Sequence, residues 1–279
     1  MINYACLTDL GKRRKLNEDS IFCITSGIRY QNTIQDMGLF IVADGMGGHN
    51  AGEVASEWAS KIAGLEILKS TMLDEQDAGD KEVTSKRSAL GNILSDAVRK
   101  ANSFILDLSR KSPGTRDMGT TLVSAFASAE HLVVANVGDS RCYMVNETGI
   151  EQLTKDHSYV QELVEIGMIS RQDARRHPRR NEITRCVGYF DNINVDIFQR
   201  SLYKGDRVLL CSDGLHGVIE DEDIWRIVKE TQDMEEACRK LIEAANSSGG
   251  PDNISAVLFE VHGLRDRKEI LGESTIKFS

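Results

Sequence analysis

The most constraining feature of the sequence is a series of three short β-rich runs between residues 120 and 146. They read TTLVSAFA, HLVVANVG and RCYMVN, and only the turn-like SAE and GDS separate them. Because a parallel crossover needs a dozen or more residues, connections of this length predict hairpins between antiparallel strands. The pattern therefore excludes a doubly wound nucleotide-binding fold for this part of the chain.

The remaining segments contain both strand-like and helical patterns, which predicts one α+β domain with substantial antiparallel sheet. Strand signals occur at 4–9, 20–25, 38–44, 193–199, 207–213 and 254–261. Helical periodicity covers 51–69, 89–109, 221–230 and 234–246. The predicted inward positions on the first two helices are Val54, Trp58, Ile62, Leu65, Leu90, Leu94, Val98 and Ile105. Trp225 is likewise predicted to lie in the core.

Three polar regions interrupt these patterns. Residues 70–88 lack periodicity and predict a solvated loop. Residues 154–190 predict a helical and loop segment, with helix starts at Asp156 and Ser170. The tail 263–279 is polar and is expected to be loosely held, which leaves a single domain over residues 1–262.

Charge, hydropathy and cysteine usage exclude several classes of protein. The 279 residues include 43 acidic and 34 basic side chains, and the net charge of −9 argues against a nucleic-acid partner, which requires a basic face. No apolar run approaches the roughly 20 residues of a membrane-spanning helix. The first basic cluster follows a short mixed segment, the reverse of a signal peptide. Six scattered cysteines without a C-x-x-C pair predict reduced thiols and a cytoplasmic protein.

Acidic residues stand at the ends of several predicted strands. FIVADGMGGH and RVLLCSDGL place Asp44 and Asp213 after apolar runs, and GGPDNISAVLFE places Asp252 just before one. Glu18 and Asp19 directly precede the strand signal SIFCIT. Any one Asp-Gly is more often a turn than a ligand, but carboxylates that converge at strand ends repel unless a cation neutralises them. Without a His or Cys cluster nearby, such oxygen ligands favour Mg²⁺ or Mn²⁺ over Zn²⁺.

The glycines after Asp44 admit two interpretations. Glycine lets the backbone approach an ion closely, so the Gly45 carbonyl is a candidate ligand. The competitor is a phosphate-binding loop, but GMGGH has neither the G-x-x-x-x-G-K-[ST] nor the G-x-G-x-x-G spacing. The phosphate-loop interpretation is therefore set aside.

Taken in order, the motifs resemble those of the metal-dependent protein serine/threonine phosphatases of type 2C, the PPM family, in their compact bacterial form. They are TDLGKRRKLNEDS, VADGMGGHNAGEVAS, DMGTTLVSA, ANVGDSR, LTKDHSYV, LLCSDGL and GGPDNIS, and they span residues 8 to about 260. The resemblance implies a sandwich of two antiparallel β-sheets flanked by helices, with a flap near 154–190. It also implies two Mn²⁺ or Mg²⁺ ions at one end of the sandwich.

The resemblance assigns the metal ligands residue by residue. It implies that Asp44 bridges the two ions and that Gly45 binds one of them through its carbonyl. Asp213 and Asp252 correspond to the ligands of the second ion. Two ions about 3.5–4 Å apart can lower the pKa of a bridging water, so that hydroxide attacks phosphorus in line and no phosphoenzyme forms.

Three further residues have implied roles around the ions. Glu18 and Asp19 correspond to carboxylates that hold metal-bound waters. Arg14, four positions before Glu18, corresponds to the arginine that clamps the substrate phosphate, whereas its neighbour Arg13 is expected to be a surface charge. Arginine suits a clamp because its planar fork can hold two phosphate oxygens at once.

The chain departs from the family pattern at two positions that matter for the chemistry. Met46 stands where animal members carry a histidine directly after Asp-Gly, and His49 has a different spacing, so the general acid is unassigned and water is the alternative. Some relatives place a ligand for a third metal three residues before the glycine of GTT. Here that position is Arg116, followed by Asp117, so a third metal site is left open.

Other motif residues are expected to be structural. Asp139 of VGDSR is expected to serve in a turn or a hydrogen bond rather than to bind metal. His157 is expected to make a structural hydrogen bond, and Asn253 to hold its neighbouring loop in place. The basic stretch ARRHPRRNE, which the resemblance places in the flap, is either a solvated surface or a site that attracts phosphorylated or acidic segments. The residues of the second hypothesis are Arg175, Arg176, Arg179 and Arg180.

The leading prediction is a phosphatase that hydrolyses phosphoserine and phosphothreonine in proteins, with a serine/threonine kinase or its substrates as partners. One alternative is a pseudophosphatase that binds phosphoproteins without hydrolysis, and the complete set of implied ligands counts against it. Another is a hydrolase of a different phosphoester, such as a nucleotide. The lack of a nucleotide-loop motif disfavours that class.

Overall fold

Two antiparallel β-sheets form the centre of the fold, as the resemblance implies. The computed structural model describes residues 1–30, 33–47, 51–73, 83–111, 113–115 and 117–267. The strands are β1 (Ile2–Asp9), β2 (Asp19–Tyr30), β3 (Thr33–Met46), β4 (Gly119–Thr120), β5 (Leu122–Ser128), β6 (His131–Val137), β7 (Arg141–Asn146), β8 (Gly149–Gln152), β9 (Asp196–Ser201), β10 (Arg207–Cys211) and β11 (Ile254–Val261). Sheet I has the order β1-β11-β10-β7-β8. Sheet II has the order β2-β3-β5-β6-β9, and the short β4 pairs with β3.

Helices cover the outer face of each sheet, which gives the α-β-β-α layering. They are α1 (Gly52–Leu73), α2 (Val83–Lys111), α3 (Tyr159–Glu165), α4 (Arg171–Arg176), α5 (Asp213–His216), α6 (Asp221–Glu230) and α7 (Met234–Ser247). Helices α1 and α2 pack on sheet II, and α5, α6 and α7 pack on sheet I. The short α3 and α4 belong to the flap. No helix within the described ranges is both long and apolar enough to span a membrane.

Strand β3 shows why the central apolar run is continuous rather than alternating. Side chains along a strand point to opposite faces in turn. Leu39 and Ile41 join the core under α1 and α2, whereas Phe40 and Val42 join the core between the sheets. The ring of Phe40 stacks on Phe259 of sheet I, with centroids 4.2 Å apart. Both faces of β3 are therefore buried, so the strand holds its carboxyl-terminal end in a fixed position.

The inner face of α1 is not the one that the large residues predict. The buried side chains are Ala55, Ala59 and Ala63, whereas Trp58 is 39% exposed and Leu65 is 60% exposed. Small residues four positions apart let the helix lie close to the sheet, which turns Trp58 outward. The predictions that Trp58 and Leu65 face the core are therefore wrong. The other predicted positions do pack against the core under α1 and α2: Val54, Ile62, Leu90, Leu94, Val98 and Ile105.

Several predicted element boundaries also shift. Helix α1 continues to Leu73 and α2 begins at Val83, so residues 70–88 are partly helical; residues 74–82 lie outside the described residues. Helix α3 is capped by Ser158 rather than Asp156, because the Asp156 carboxylate binds Arg141 instead, with Oδ2 2.7 Å from Nη2. The predicted start at Ser170 is confirmed, since Ser170 caps α4 with a capping box.

The GDS segment does not form the predicted hairpin. The SAE turn does join β5 and β6 as neighbours, but Gly138–Ser140 carries the chain from β6 in sheet II to β7 in sheet I. Gly138 has a φ of +109°, a conformation that favours glycine, and a Cβ there would lie 2.6 Å from the Cβ of Thr121. A three-residue connector can thus cross between packed sheets, and here it buries Asp139 and Ser140.

The first residues of the predicted tail are held against the domain. The backbone N–H of Lys204 donates to the carbonyl of Arg265 at 3.0 Å, and the Arg267 guanidinium donates to both carboxylate oxygens of Asp206. Leu264 packs against the core between the sheets. The expectation of a loosely held tail is therefore wrong for residues 263–267. Residues 268–279 lie outside the described residues.

Candidate metal centre

Strand register brings the predicted acidic residues to one end of the sandwich. Asp19 at the start of β2 is directly opposite Asp44 near the end of β3. In sheet I, the end of β10 pairs with the start of β11, so Asp213 follows β10 where Asp252 precedes β11. Carboxylates from four strand ends therefore gather at a single rim, which we call the carboxylate cluster.

Asp44 is held by its backbone, which leaves its carboxylate to the cluster. Its N–H donates to the hydroxyl of Thr121 at 3.0 Å, and its carbonyl accepts from the Thr121 N–H and from the Thr120 hydroxyl, both at 2.9 Å. Burial, and then the charges of Asp19 and Asp213, raise the pKa of Asp44 well above its ordinary value. The GTT motif thus serves as a backbone anchor for Asp44.

Gly45 has no room for a side chain. A Cβ at this position would lie 2.1 Å from the carbonyl oxygen of Gly52 and 2.6 Å from that of Glu18. The Gly45 N–H donates to the Glu18 carbonyl at 3.0 Å, so the two segments are joined by their backbones. This close approach accounts for the glycine whether or not its carbonyl binds an ion.

Two serines orient Asp19. The hydroxyls of Ser212 and Ser255 both donate to Asp19 Oδ2 at 2.7 Å. The other oxygen, Oδ1, is buried and accepts no hydrogen bond from the described residues. Burial raises the pKa of Asp19 to about 7, although both serine hydrogen bonds oppose that shift. One carboxylate oxygen is therefore fixed while the other remains available to a ligand.

Asp213, at the start of α5, also has one carboxylate oxygen that is free to bind a ligand. Its Oδ1 is buried without a hydrogen-bond partner among the described residues. Burial, and then the charge of Asp252, raise the pKa of Asp213 to about 6, whereas a hydrogen bond with Asp44 opposes the shift. The following Gly214 has no space for a Cβ, which would lie 1.9 Å from the Asn253 carbonyl oxygen. The Asp-Gly pair therefore serves close backbone packing as well as the cluster.

Arg14 lies at the edge of the carboxylate cluster. Its Nη2 donates to Asp252 Oδ2 at 2.6 Å, and its Nη1 lies 3.7 Å from Glu18 Oε2. The hydrogen bond to Asp252 raises the pKa of Arg14, so the guanidinium stays charged. Burial raises the pKa of Glu18, and Arg14 opposes that shift. Arg14, the implied phosphate clamp, is thus already in contact with the carboxylate cluster. Its side chain is 46% exposed.

Asn253 ties the loop of Arg14 to the cluster, as expected. Its Nδ2 donates to the carbonyls of Leu10 and Leu16, each at 3.0 Å, and its Oδ1 accepts from the N–H of Glu18 at 2.8 Å. Its own N–H donates to Asp252 Oδ1 at 2.9 Å. One side-chain amide therefore fixes both ends of the segment that carries Arg14.

The structure adds two acidic residues that sequence reasoning did not assign to the site. Asp139 lies in the sheet crossover, and burial and then the charge of Asp213 raise the pKa of Asp139 well above its ordinary value. Glu53, in the first turn of α1, interacts electrostatically with Glu18, and its Oε2 is buried without a partner among the described residues. For Asp139 the available signal was the GDS motif itself, which resembled a hairpin turn.

The donor set fits hard divalent cations. It consists of carboxylate and carbonyl oxygens, and at least two buried carboxylate oxygens lack a protein donor. In the described part of the chain, no three His, Cys, Asp or Glu side chains lie close enough together to hold an ion by themselves. Carboxylate and carbonyl oxygens are nevertheless the ligands of Mg²⁺, which keeps several waters and takes one or two carboxylates. Burial first, and then neighbouring carboxylates, raise the pKa values of Asp44, Asp19 and Asp213, so the metal-free cluster favours protonated carboxyl groups.

His157 fastens the crossover that carries Asp139. The Gly138 N–H donates to His157 Nδ1 at 3.0 Å, so the ring proton is on Nε2, which lies 3.1 Å from Asp196 Oδ2. Burial lowers the pKa of His157, consistent with a neutral ring. Arg185 donates to Asp196 Oδ1 at 2.8 Å and completes the network. The expected structural role of His157 is therefore confirmed.

The flap arginines are of two kinds. Arg175 donates to the Ile219 carbonyl at 2.8 Å and pairs with Glu220 at 3.1 Å. Arg179 makes two 2.6 Å bonds to Glu182 and lies over the ring of Tyr159. No carboxylate of the described residues lies within 4 Å of Arg176 or Arg180. The four arginines therefore do not act as one free basic surface.

Four residues of the sequence hypotheses are not part of the described cluster. Met46 pairs with Gly119 at the end of β3 and offers no ionisable group. Asp117 is exposed and has a φ of +58°. His49 and Arg116 lie outside the described residues.

Comparison with known proteins identifies close similarity over most of the chain. The family model described as Protein phosphatase 2C matches residues 7–254. The serine/threonine phosphatase stp of Listeria monocytogenes is 38% identical over 255 residues, which covers 91% of this chain and 93% of that protein. The serine/threonine protein phosphatase PstP of Mycobacterium tuberculosis is 36% identical over 261 residues, or 94% of this chain and 45% of PstP.

Solved structures show the same similarity. The crystal structure of the Mycobacterium tuberculosis serine/threonine phosphatase PstP/Ppp matches with a TM-score of 0.77 at 34% identity, covering 93% of this chain and 98% of that one. The catalytic domain of PstP in complex with two manganese ions matches with a TM-score of 0.73 at 33% identity, covering 93% and 97%.

Proposed function

The chain belongs to the protein phosphatase 2C family as a metal-dependent serine/threonine protein phosphatase, and we propose that the carboxylate cluster is its active site. Two buried oxygens near Asp44 carry this proposal. They are Asp19 Oδ1 and Asp213 Oδ1, and neither accepts a hydrogen bond from the described residues. Carboxylates that lie this close together repel one another, and a bound cation stabilises their charged forms.

The ligand roles follow from the placement of each oxygen. Asp44 interacts electrostatically with both Asp19 and Asp213. We propose that it would hold both of two Mn²⁺ or Mg²⁺ ions, and that the Gly45 carbonyl would bind one of them. Asp213 and Asp252 are proposed to hold the other ion. When bound, the ions supply an activated water for direct attack on phosphorus and neutralise part of the phosphoryl charge, without a phosphoenzyme.

The remaining residues of the cluster prepare water and substrate. Ser212 and Ser255 hold one oxygen of Asp19, and we propose that its other oxygen accepts a hydrogen bond from a water in the site. Glu18 is proposed to hold a second water. Arg14 is charged and half exposed, and we propose that its fork turns from Asp252 towards the phosphoryl oxygens of the substrate. No residue of the cluster is assigned as general acid, and water is proposed to protonate the departing alkoxide.

The substrates are phosphoproteins, and we propose that the flap contributes to their choice. Arg175 and Arg179 already bind carbonyl or carboxylate groups of this protein. We therefore assign the attraction of phosphorylated segments to Arg176 and Arg180. A serine/threonine kinase or its substrates are the proposed partners, in the cytoplasm. The test is Arg176→Glu with Arg180→Glu, assayed on a phosphoprotein and on a small aryl phosphate, beside the charge-matched control Arg226→Glu with Arg239→Glu. A selective loss on the phosphoprotein supports the proposal, and equal effects on both substrates overturn it.

The central experiment is hydrolysis of a phosphothreonine peptide with Mn²⁺, with and without a chelator. Asp44→Asn and Asp213→Asn are expected to lose activity and to bind Mn²⁺ more weakly in calorimetry. Asp96→Asn is the matched control, because Asp96 is an exposed residue of α2 whose carboxylate pairs with Arg99. Activity that survives chelation, or that persists in both cluster variants, contradicts the proposal. A folded wild-type protein that binds Mn²⁺ and phosphopeptide without hydrolysis would indicate the binding role instead.

A further inference from the structure

Cys6 and Cys23 lie on the two edge strands that meet at one side of the sandwich. β1 is the last strand of sheet I and β2 the last of sheet II, and their Cα atoms come within 8 Å of each other. On β1, Ala5 and Leu7 pack under the helices, whereas Ile2 packs between the sheets. Because side chains alternate along a strand, Cys6 shares the inward face of Ile2.

The two thiols share the inner side of this edge of the sandwich and are differently exposed. Cys23 packs against the core between the sheets and is half-buried, whereas Cys6 is exposed at the edge. A hydrogen bond from the Cys23 thiol lowers the pKa of Cys6 to about 7, and the same contact and burial raise the pKa of Cys23. The exposed Cys6 sulfur is thus the readier nucleophile. The half-buried Cys23 is the thiol that can attack a mixed disulfide formed on Cys6.

The other thiols are placed differently. Cys238 is buried on α7, on the helical side of sheet I, and its Sγ lies 3.8 Å from the carbonyl oxygen of Ala5. Cys142, Cys186 and Cys211 are also buried, and burial raises the pKa of each. In the described part of the chain, Cys6 is therefore the thiol that combines exposure with a contacting partner thiol.

We propose that Cys6 and Cys23 are a thiol pair that low-molecular-weight disulfides oxidise to an intramolecular disulfide. The Cys6 thiolate attacks one sulfur of the small disulfide, whose S–S bond breaks and releases one thiolate. Cys23 then loses its proton to solvent and attacks Cys6 Sγ, expelling the second thiolate. The protein dithiol loses two electrons and two protons, and the small disulfide becomes two thiols.

The disulfide would close a loop that contains part of the proposed active site. Residues 7–22 lie between the two cysteines and include Arg14, Glu18 and Asp19. A cross-link restricts such a loop most strongly in its opened states. Oxidation is therefore expected to slow amide hydrogen exchange over residues 10–18, and reduction is expected to reverse that change.

The test treats the reduced full chain with oxidised glutathione and maps non-reduced tryptic peptides by mass spectrometry. The expected product joins peptide 1–12 to peptide 16–29 and is lighter than the two reduced peptides by two hydrogen atoms. Cys23→Ser is expected to trap glutathione on Cys6, and Cys6→Ser to leave Cys23 unmodified. Cys238→Ser is the matched control and is expected to keep the cross-link.

Several results overturn the proposal. They are glutathione retained on Cys6 of the wild type without a cross-link, a cross-link to Cys238, and a Cys23 that reacts equally well in Cys6→Ser. Because the products are identified by mass, these outcomes do not depend on phosphatase activity and leave the proposed function untouched.

Discussion

Asp19 and Asp44 stand directly opposite each other on the β2–β3 ladder, so two carboxylates occupy one cross-strand pair. Like charges in that position destabilise a sheet. The fold offsets part of this cost with the two serine hydroxyls on Asp19 Oδ2. Burial, and then the charge of Asp19, raise the pKa of Asp44 well above its ordinary value. A bound cation would relieve this repulsion.

The serines that hold Asp19 are expected to tune metal affinity. Removing a group that orients an ion's surroundings typically weakens metal binding about 10- to 100-fold. Ser212→Ala and Ser255→Ala are each expected to fall in the lower part of that range, because the other hydroxyl remains on the same oxygen. Calorimetric titration with Mn²⁺ measures the effect, and Ser103→Ala on α2 is a control hydroxyl outside the cluster. Unchanged affinity in the double variant would show that the serines only fill space.

The metal-free protein is expected to lose stability as the pH rises. The pKa is raised to about 7 for Asp19 and to about 6 for Asp213, above an unfolded value of about 3.9. The folded state therefore binds more protons, and this contribution to stability is present below the unfolded pKa and is lost as the pH passes through the folded pKa values. The Tm of chelated protein should fall between about pH 4 and about pH 7.

Two comparisons test whether the fall in Tm originates in the carboxylate cluster. Saturating Mn²⁺ should flatten the dependence, because the ion replaces the protons as the source of positive charge. Asp213→Asn should flatten it in chelated protein. An equally steep fall in the variant would place the effect elsewhere.

The strand ends could be predicted from sequence, whereas the crossover could not. Apolar runs that stop at Asp-Gly locate Asp44 and Asp213 without any knowledge of the fold. The GDS segment, by contrast, has the length of a hairpin turn. Its path depends on the pairing of β7 with β10, which lies more than 60 residues further along the chain. Local signals cannot show that pairing, and so the placement of Asp139 beside Asp213 was missed.

Helix faces show a second limit of sequence patterns. Trp58 was assigned inward because it is large and apolar, yet the close approach of α1 to sheet II requires the smaller Ala55 and Ala59 at the contact. The ends of α1 and α2 were missed for a different reason. Periodicity gives no signal where a helix carries mostly polar residues, as α2 does from Val83 to Ser88.

Arg14 is expected to act on the substrate phosphate rather than on stability. Loss of a charged donor to a phosphoryl group typically costs on the order of 10²-fold in rate, so Arg14→Ala should lower kcat/KM by that order. Arg14→Lys should recover only part of it, because an ammonium cannot bind two oxygens with a planar fork. Arg13→Ala, one residue away, is the control and should retain wild-type kinetics. Equal losses in Arg13→Ala and Arg14→Ala would contradict a specific clamp.

Gly45→Ala is expected to destabilise the fold around the cluster. The added methyl would lie 2.1 Å from the Gly52 carbonyl oxygen and 2.6 Å from that of Glu18, so backbone must move. Overpacking of this kind costs about 1–3 kcal/mol. Urea unfolding of chelated protein measures the loss without the contribution of metal. Gly114→Ala is the control, because a Cβ there meets nothing within 4 Å.

His157 is expected to act through the Gly138 amide. Its Nδ1 accepts that N–H, so a replacement that lacks an acceptor leaves a buried donor unpaired, at a cost of roughly 1–3 kcal/mol. His157→Phe should therefore speed hydrogen exchange at the Gly138 amide and lower the Tm. His157→Asn, whose Oδ1 can occupy the place of Nδ1, should restore part of the protection. If both variants exchange as slowly as the wild type, the imidazole of His157 does not hold the crossover. The positioning of Asp139 must then be attributed to other contacts, such as that of its carbonyl oxygen with His216 Nε2 at 3.0 Å.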